Sequence, residues 1–338
     1  MRATIIGAGV AGLCLAAELR ARGVAVTVRD PETAPGPEAC SWWAGGMLAP
    51  FCEGETAEEP VVRLGRQAAD WWAAQGIAVE RRGTLVLALA RDRAELDRFA
   101  RRTTGHARLD AAGIAALEPD LQGRFAAALH VAAEAHLDPR AALAGLRARL
   151  AAAGVRFETR ATAPQELARA AATPAARHEA PWFDCRGLAA RDRLADLRGV
   201  KGEMAILRSS EIRLARPVRL LHPRYPLYIV PRGDGQFMLG ATQVETADRR
   251  RSVRAALELL SAAYALHPAF GEAELVELGV GARPAFPDNL PRLRRHGALY
   301  TLNGLYRHGF LLAPALARMA VAAALDGEKP EFMDEDHD

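Results

Sequence analysis

The first thirty residues alternate between apolar runs and glycine breaks in a way that predicts a strand, a helix and a second strand. The apolar run over residues 3–6 predicts a strand that stops at Gly7. An amphipathic, Ala/Leu-rich segment follows and ends at Gly23. A second alternating run, residues 24–28, leads to Asp30. Strand, tight turn, helix, strand and acid in this order form the βαβ pattern that binds dinucleotides.

Each glycine of the first turn has a task that a larger residue would obstruct. Gly7 permits the sharp turn, Gly9 lets a pyrophosphate approach the backbone, and Gly12 lets the helix pack on the strand. The helix start adds free N–H donors and a positive dipole end, and Asp30 can accept hydrogen bonds from ribose hydroxyls. The pattern does not distinguish FAD from NAD, but its position at the start of the chain favours FAD. Arg29 is compatible with an NADP phosphate, although an outward-facing residue on an alternating strand is the preferred interpretation.

The remaining periodicity predicts further helices and strands around a strand-rich middle. Helices are predicted over residues 58–75, 92–104, 111–118, 140–153, 164–177, 252–266 and 310–325. Strands are predicted over residues 82–89, 126–131, 155–159, 182–187, 201–207, 226–230, 236–240, 276–283 and 298–303. The Asp234-Gly235 pair predicts a hairpin turn, and Trp71-Trp72 is interpreted as core.

The last strand, turn and helix repeat the arrangement of the first thirty residues, which predicts a second helix N-terminus aimed at a cofactor. The strand-rich middle, roughly residues 195–275, lies between α/β segments at both ends of the chain. The predicted fold class is therefore α/β, with a discontinuous Rossmann-like FAD-binding domain and an inserted substrate-binding domain built on a mixed antiparallel β-sheet. The predicted boundaries are residues 1–78, 135–195 and 276–338 for the FAD-binding domain, and residues 79–134 and 196–275 for the substrate-binding domain.

Composition and charge narrow the class of protein. A chain of 338 residues, half of them hydrophobic, fits two joined domains with a large core. The 44 basic and 41 acidic residues are scattered, so nucleic-acid binding is not indicated. The cysteines show no CxxC pair or metal-ligand spacing, and no signal peptide or membrane-spanning apolar run is recognisable. The sequence therefore predicts a reduced, cytoplasmic protein with no metal, no nucleic-acid partner and no membrane span.

No Ser–His–Asp, Cys–His or metal-binding motif is recognisable, which is informative if a flavin is present. A flavin accepts a hydride from a carbon placed over it, so the protein needs only to orient the substrate and exclude water. An amino-acid carboxylate calls for a bidentate arginine, for which Arg283 and Arg307 are candidates. Tyr228 is a candidate for one further hydrogen bond and His308 for a direct role. An ordinary surface or core position is the alternative interpretation for each.

Motifs along nearly the whole chain resemble the glycine oxidase family of thiamine biosynthesis, among the D-amino-acid-oxidase-like flavoproteins. They are IIGAGVAGL, CSWWAGGMLAP, HLDPRAAL, YIVPRGDG with LGAT behind it, GARPAFPDN and NGLYRHGFLLAP. The resemblance implies that the protein binds FAD noncovalently.

The resemblance also implies roles for particular residues. It implies that Arg283 binds the substrate carboxylate, that Tyr228 adds a hydrogen bond to it, that Arg307 lies near the amine or carboxylate, and that Gln243 borders the pocket. The implied cofactor-binding residues are Gly7, Gly9, Val10, Ala11, Gly12, Asp30, Ser41, Gly45, Gly46, Met47, Arg283, Leu305, Tyr306, Arg307, His308, Gly309, Phe310 and Leu311.

Three residues depart from the family pattern. Asp30 replaces the commoner Glu and has a shorter reach to a ribose, and His308 stands where Asn is usual. Gln243 stands where an apolar side chain such as Met can border the pocket, so a strict preference for glycine is left open.

The implied reaction is FAD-dependent oxidative deamination of glycine or another small amino acid. The imine hydrolyses to glyoxylate and ammonia or passes to a thiazole-synthesis partner, and molecular oxygen reoxidises the flavin to give hydrogen peroxide. Three alternatives stay open: a D-amino-acid or secondary-amine dehydrogenase with another electron acceptor, a flavin-holding interaction subunit, and an NADP-dependent reductase. Assembly into a homo-oligomer is also left open.

Overall fold

A computed structural model describes residues 1–173, 180–222 and 227–334. The strands are β1 (Arg2–Ile6), β2 (Ala25–Asp30), β3 (Met47–Leu48), β4 (Thr84–Ala88), β5 (Ala107–Asp110), β6 (Ala127–Val131), β7 (Ala135–His136), β8 (Arg156–Thr159), β9 (Trp182–Asp184), β10 (Arg198–Arg208), β11 (Val218–Leu221), β12 (Leu227–Gly233), β13 (Gln236–Gly240), β14 (Glu274–Ala285), β15 (Arg292–His296) and β16 (Leu299–Asn303). The helices are α1 (Val10–Ala21), α2 (Pro50–Glu53), α3 (Glu59–Gly65), α4 (Ala68–Ala74), α5 (Arg93–Arg102), α6 (Ala111–Leu117), α7 (Pro139–Ala152), α8 (Pro164–Ala172), α9 (Val253–Leu266) and α10 (Gly309–Val321). The predicted extension of α8 over residues 174–177 and the predicted strand start at residue 226 lie outside the described residues.

A six-stranded sheet has the order β15-β16-β9-β1-β2-β8. Its first strand, β1, lies between β2 and β9 and is parallel to both, with Ile5 opposite Val28 on one side and Phe183 on the other. The chain reaches β2 from β1 through α1, which is the crossover a parallel pair requires. The predicted Rossmann-like βαβ unit at the start of the chain is confirmed.

The first and last helices together cover this sheet. Leu13, Leu15 and Leu19 of α1 are fully buried, and α1 packs against α10. The segment Gly309–Asp326 is long and apolar enough to cross a membrane by length and composition, but 61% of it is buried inside the protein. Because it packs on α1, this segment is a core helix of the domain that contains the six-stranded sheet.

An eight-stranded mixed sheet has the order β14-β10-β13-β12-β11-β4-β6-β5. Strands β10, β12, β13 and β14 pair antiparallel, whereas β11 pairs parallel with β4. The predicted fold class, an α/β protein with a mixed antiparallel sheet inserted into a Rossmann-like domain, is confirmed. Since β14 pairs with β10 as far as Ala285, this sheet continues past residue 276, where the sequence placed a boundary. The domain boundaries themselves stay predictions.

Two features of the chain path differ from the sequence predictions. The single helix predicted over residues 58–75 is wrong, because α3 ends at Gly65, where a Cβ would lie 2.7 Å from Leu311 Cγ of α10. Five short strands, β3, β5, β7, β11 and β15, were not predicted. The sequences of β5 and β15, ARLD and RLRRH, carry too few apolar residues to show an alternation.

Candidate active site

A cleft of about 1170 Å³ joins the loops of the two sheets. It exceeds the roughly 300–1,000 Å³ of ordinary small-ligand pockets. All predicted site residues except Gly12 line its walls. The lining residues among them are Gly7, Gly9, Val10, Ala11, Asp30, Ser41, Gly45, Gly46, Met47, Tyr228, Gln243, Arg283, Leu305, Tyr306, Arg307, His308, Gly309, Phe310 and Leu311. Residues that are far apart in the sequence thus share one site.

The glycine turn between β1 and α1 leaves no room for side chains. Gly7 has a φ of +101°, and a Cβ there would lie 2.6 Å from the Cys185 carbonyl oxygen. A Cβ on Gly12 would lie only 1.9 Å from the carbonyl oxygen of Gly7, so even alanine would displace the turn. The structure therefore gives a steric reason for a glycine at each of these two positions.

The start of α1 is directed into the cleft. Gly9 precedes the helix and offers no side chain to cap it. Ser41 Oγ accepts a hydrogen bond from the Val10 N–H at 3.2 Å. Asp30 accepts hydrogen bonds from the Ala8 N–H at 2.7 Å and the Glu32 N–H at 2.9 Å. Asp30 thus holds the turn in shape, and its remaining lone pairs are the ones available to a ribose hydroxyl.

A second loop, Gly45-Gly46-Met47, forms another wall. Gly46 has a φ of +71°, and a Cβ there would lie 2.2 Å from the Leu137 carbonyl oxygen. Arg232, whose side chain is 7% exposed, donates to the carbonyl oxygens of Leu137 at 2.7 Å and Gly45 at 2.9 Å. Burial lowers the pKa of Arg232 to about 10. Arg232 therefore positions this loop, a role that its place in a strand motif did not reveal.

The turn before α10 supplies the third wall, as the repeat of strand, turn and helix predicted. Tyr306 has a φ of +49°, which a side-chain-bearing residue rarely adopts. His308 lies at the N-terminal boundary of α10 and is buried. The carbonyl oxygen of Phe310 accepts a hydrogen bond from Trp72 Nε1 at 2.9 Å. Since Trp72 is fully buried, its predicted place in the core is confirmed.

Arg283 and Tyr228 lie at the end of the cleft formed by the large sheet. The guanidinium of Arg283 packs on Gly202, where a Cβ would lie 2.1 Å from its Nη2, and Nη1 donates to the Thr242 carbonyl oxygen at 3.2 Å. No carboxylate of the described residues pairs with it. The ring of Tyr228 lies between Gly45 and Gly240. Burial raises the pKa of the Tyr228 hydroxyl, which therefore keeps its proton.

Arg307 has a different environment, which centres on Glu53. Its Nη2 lies 2.9 Å from Glu53 Oε2 and donates to Thr56 Oγ1 at 2.5 Å. Arg219 of β11 pairs with the other carboxylate oxygen of Glu53, and His308 Nδ1 lies 3.5 Å from Oε2. Arg307 is thus already paired with a carboxylate of the protein, which it shares with Arg219, whereas Arg283 is not paired with one among the described residues.

Glu53 is buried and ionised. Burial alone would raise the pKa of Glu53, but the charges of Arg307 and Arg219 outweigh burial and hold that pKa far below its usual range. Burial lowers the pKa of His308 to about 4, so His308 is neutral at physiological pH. Sequence reasoning missed Glu53 and Arg219, because neither lies in a motif and the strand that carries Arg219 was not predicted.

Arg29 is engaged within the protein. Its Nε lies 2.9 Å from Glu158 and its Nη1 lies 3.2 Å from Glu166. Because the charge of Arg29 is paired with two carboxylates, we favour a structural role for Arg29 over a role as an NADP phosphate ligand. Among residues 1–173, 180–222 and 227–334, no three His, Cys, Asp or Glu side chains are grouped as a metal site would require.

Comparison with known proteins identifies the family. The family of FAD-dependent oxidoreductases abbreviated DAO matches residues 2–323. The chain belongs to this family. It is similar to the putative thiamine biosynthesis oxidoreductase ThiO of Rhizobium etli, with 53% identity over 319 residues that cover 94% of each chain.

Two further similarities concern the architecture of this oxidoreductase. It is 36% identical over 122 residues to the bifunctional protein ThiO/ThiG of Trichormus variabilis, which covers 35% of this chain and 19% of that one. Its fold is similar to the crystal structure of glycine oxidase from Bacillus cereus, with a TM-score of 0.80, 22% identity and 98% of each chain covered.

The cleft of this FAD-dependent oxidoreductase fits its cofactor. Gly9, which has no side chain, and the start of α1 suit a pyrophosphate, and Asp30 lies where the ribose of a dinucleotide would follow. The loops of Gly45-Gly46-Met47 and Leu305–Leu311 wall the rest of the cleft. The predictions of an enzyme, of the family and of FAD as its cofactor are confirmed; the individual roles of the site residues stay predictions.

Proposed function

We propose that this oxidoreductase oxidises glycine, or a comparably small amino acid, to the imine and serves thiazole formation in thiamine biosynthesis. Its similarity to ThiO supports the pathway. The observation that carries the proposal is the Arg283 guanidinium, which lines the cleft without a carboxylate partner among the described residues. An unpaired fork of N–H donors in a partly desolvated cavity is suited to bind a carboxylate in a bidentate manner.

The side chains at this end of the cleft orient the substrate. Arg283 holds the carboxylate, and the protonated hydroxyl of Tyr228 donates a further hydrogen bond to it. A bound flavin would accept a hydride from the α-carbon. Because only the neutral amine allows that hydrogen to leave as hydride, kcat/KM is expected to rise with pH until the amine is deprotonated.

The imine then hydrolyses to glyoxylate and ammonia or passes to a thiazole-forming partner. The relative in which ThiO is joined to ThiG supports such a partner. The proposal includes molecular oxygen as the electron acceptor, hydrogen peroxide as the second product and a cytoplasmic location.

The test begins with the purified protein, which we expect to be yellow and to carry about one FAD per chain. Peroxide formation is measured with glycine, sarcosine and D-alanine, and dye reduction is measured in parallel without oxygen. Turnover of glycine with stoichiometric peroxide is the expected result. Flavin that is reduced by none of these amines would contradict the proposed substrate class, and dye reduction without peroxide would contradict oxygen as the acceptor.

A further inference from the structure

One hydrogen bond joins the opposite walls of the substrate end. The Tyr306 hydroxyl donates to Gln243 Oε1 at 3.0 Å, across 63 residues of sequence. Both side chains line the cleft, and Gln243 is exposed whereas Arg283 and Tyr228 are half-buried. The bond therefore lies on the solvent side of the residues assigned to the substrate.

The backbone around Arg283 holds both partners of this bond in place. Thr242, the neighbour of Gln243, accepts a hydrogen bond from Arg283 Nη1 at 3.2 Å through its carbonyl oxygen. The Tyr306 N–H donates to the carbonyl oxygen of Pro284 at 3.0 Å. The bond between Gln243 and Tyr306 thus closes a ring of contacts that begins and ends beside Arg283.

The backbone of Tyr306 adds an independent observation. A φ of +49° is unfavourable for a residue with a Cβ and persists only where surrounding contacts enforce it. Here the contacts are the bond to Pro284, the bond to Gln243 and the edge of the His308 ring, whose centroid lies 6.1 Å from that of Tyr306. Such strained residues cluster at ligand clamps, which fits a place over the substrate.

We propose that Gln243 and Tyr306 form a polar bar across the mouth of the substrate end and that this bar excludes amino acids with bulky side chains. The inference rests on the proposed function, because it assumes a carboxylate on Arg283. On the inner side, the Arg283 guanidinium packs on Gly202 and the Tyr228 ring packs on Gly240, so we expect a large substituent to extend toward the mouth. There it would meet the bar, whereas glycine would not.

The test removes the bond from each side and then from both. Gln243→Met keeps the side-chain length without the acceptor, and Tyr306→Phe deletes only the hydroxyl. The affinities of the FAD-loaded protein for acetate and for benzoate are measured by calorimetry, and kcat/KM is measured for glycine and D-leucine. We expect each single variant to raise the benzoate-to-acetate affinity ratio about fivefold, and the D-leucine-to-glycine kcat/KM ratio to rise with it. The double variant should go no further than the stronger single variant, because one bond can be lost only once.

Two distant substitutions serve as matched controls. Gln122→Met changes an exposed glutamine outside the cleft, and Tyr264→Phe removes the hydroxyl of a tyrosine that is 58% exposed on α9. Both controls should leave the two ratios unchanged. Thermal unfolding and bound flavin confirm that each variant is folded and loaded.

The outcomes separate the bar from the proposed function. Ratios that stay at the wild-type value in both single variants, or additive effects in the double variant, would overturn the bar. If the benzoate-to-acetate ratio shifts as expected but no amino acid is oxidised, the bar stands and the proposed function fails.

Discussion

The phosphate end and the substrate end of the cleft are built by different means. At the phosphate end the backbone forms the surface, within the first thirty residues of the chain, and glycines keep side chains out. At the substrate end charged side chains converge from distant segments, as Glu53 and Arg219 do across 166 residues. The phosphate end therefore depends on the space left around the backbone, and the substrate end depends on the pairing of partly buried charges. The two ends should therefore fail in different ways when they are altered.

The largest expected effect is steric and falls on the phosphate end. In Gly12→Ala the new Cβ would lie 1.9 Å from the Gly7 carbonyl oxygen, so the turn or the helix must move. We expect the purified variant to carry no detectable FAD, or the protein to be insoluble. Bound flavin per chain, read from its visible absorbance after purification, measures the effect.

The matched control for this variant lies in the same βαβ unit. Gly23 has a φ of +74° with open space around it, so Gly23→Ala should cost about 1 kcal/mol of stability from backbone strain and keep its flavin. Equal flavin content in the two variants would contradict the steric account of Gly12.

The second effect is electrostatic and falls on the substrate end. Arg283→Ala removes the guanidinium assigned to the substrate carboxylate and should lower kcat/KM for glycine about a thousandfold, or ~4 kcal/mol of transition-state binding. Flavin content should stay near that of the wild type. Arg250→Ala, which changes a side chain that is 88% exposed, is the control. An unchanged kcat/KM in Arg283→Ala would remove the role of Arg283.

The same contrast explains what could be predicted from the sequence. The glycine turn was predictable because its sequence pattern is local. Gly7, Gly9 and Gly12 are each required by the backbone geometry of a single βαβ unit. The residues Glu53 and Arg219 carry no such signature, since what defines them is a pairing between a short helix and a strand. Such pairings follow from the packing of the two sheets, which residue spacing does not encode.

Even where a predicted residue lies in the cleft, its partners were not predictable. The resemblance implied that Arg307 acts near the amine or carboxylate, yet its guanidinium is paired with Glu53. Gln243 was predicted to border the pocket, but its hydrogen bond to Tyr306 depends on a positive φ at a non-glycine residue. Position in the site can thus be inferred from motifs, whereas charge balance requires the folded structure.

The third effect tests that charge balance. Glu53→Gln leaves the partly buried Arg219 and Arg307 without their carboxylate, which should lower the free energy of unfolding at pH 7 by about 3 kcal/mol. Urea unfolding followed by fluorescence measures it. Glu59→Gln breaks an exposed pair with Arg63, in which the Glu59 side chain is 71% exposed, and should change stability by less than about 1 kcal/mol. A loss in Glu53→Gln no larger than in this control would show that Glu53 does not compensate the two arginines.

The smallest effect concerns protons rather than contacts. Burial lowers the pKa of His136 to about 4, and its Nδ1 has no hydrogen-bond partner among the described residues. Between about pH 6.5 and pH 4 the unfolded chain binds a proton at this position that the folded protein does not, so acidification favours unfolding. For one such histidine the free energy of unfolding should fall by about 1.4 kcal/mol between pH 7.5 and pH 5.5.

His136→Phe should remove this part of the pH dependence, while His308, whose pKa is also lowered to about 4, keeps its own contribution. The part of the pH dependence of the unfolding free energy that the two histidines contribute together should therefore fall by about half. His296→Gln, which changes an exposed histidine, is the control with which the slope of His136→Phe is compared. If His136→Phe shows the full wild-type slope, the pKa of His136 does not differ between the folded and the unfolded protein, which would contradict the effect of burial on this side chain.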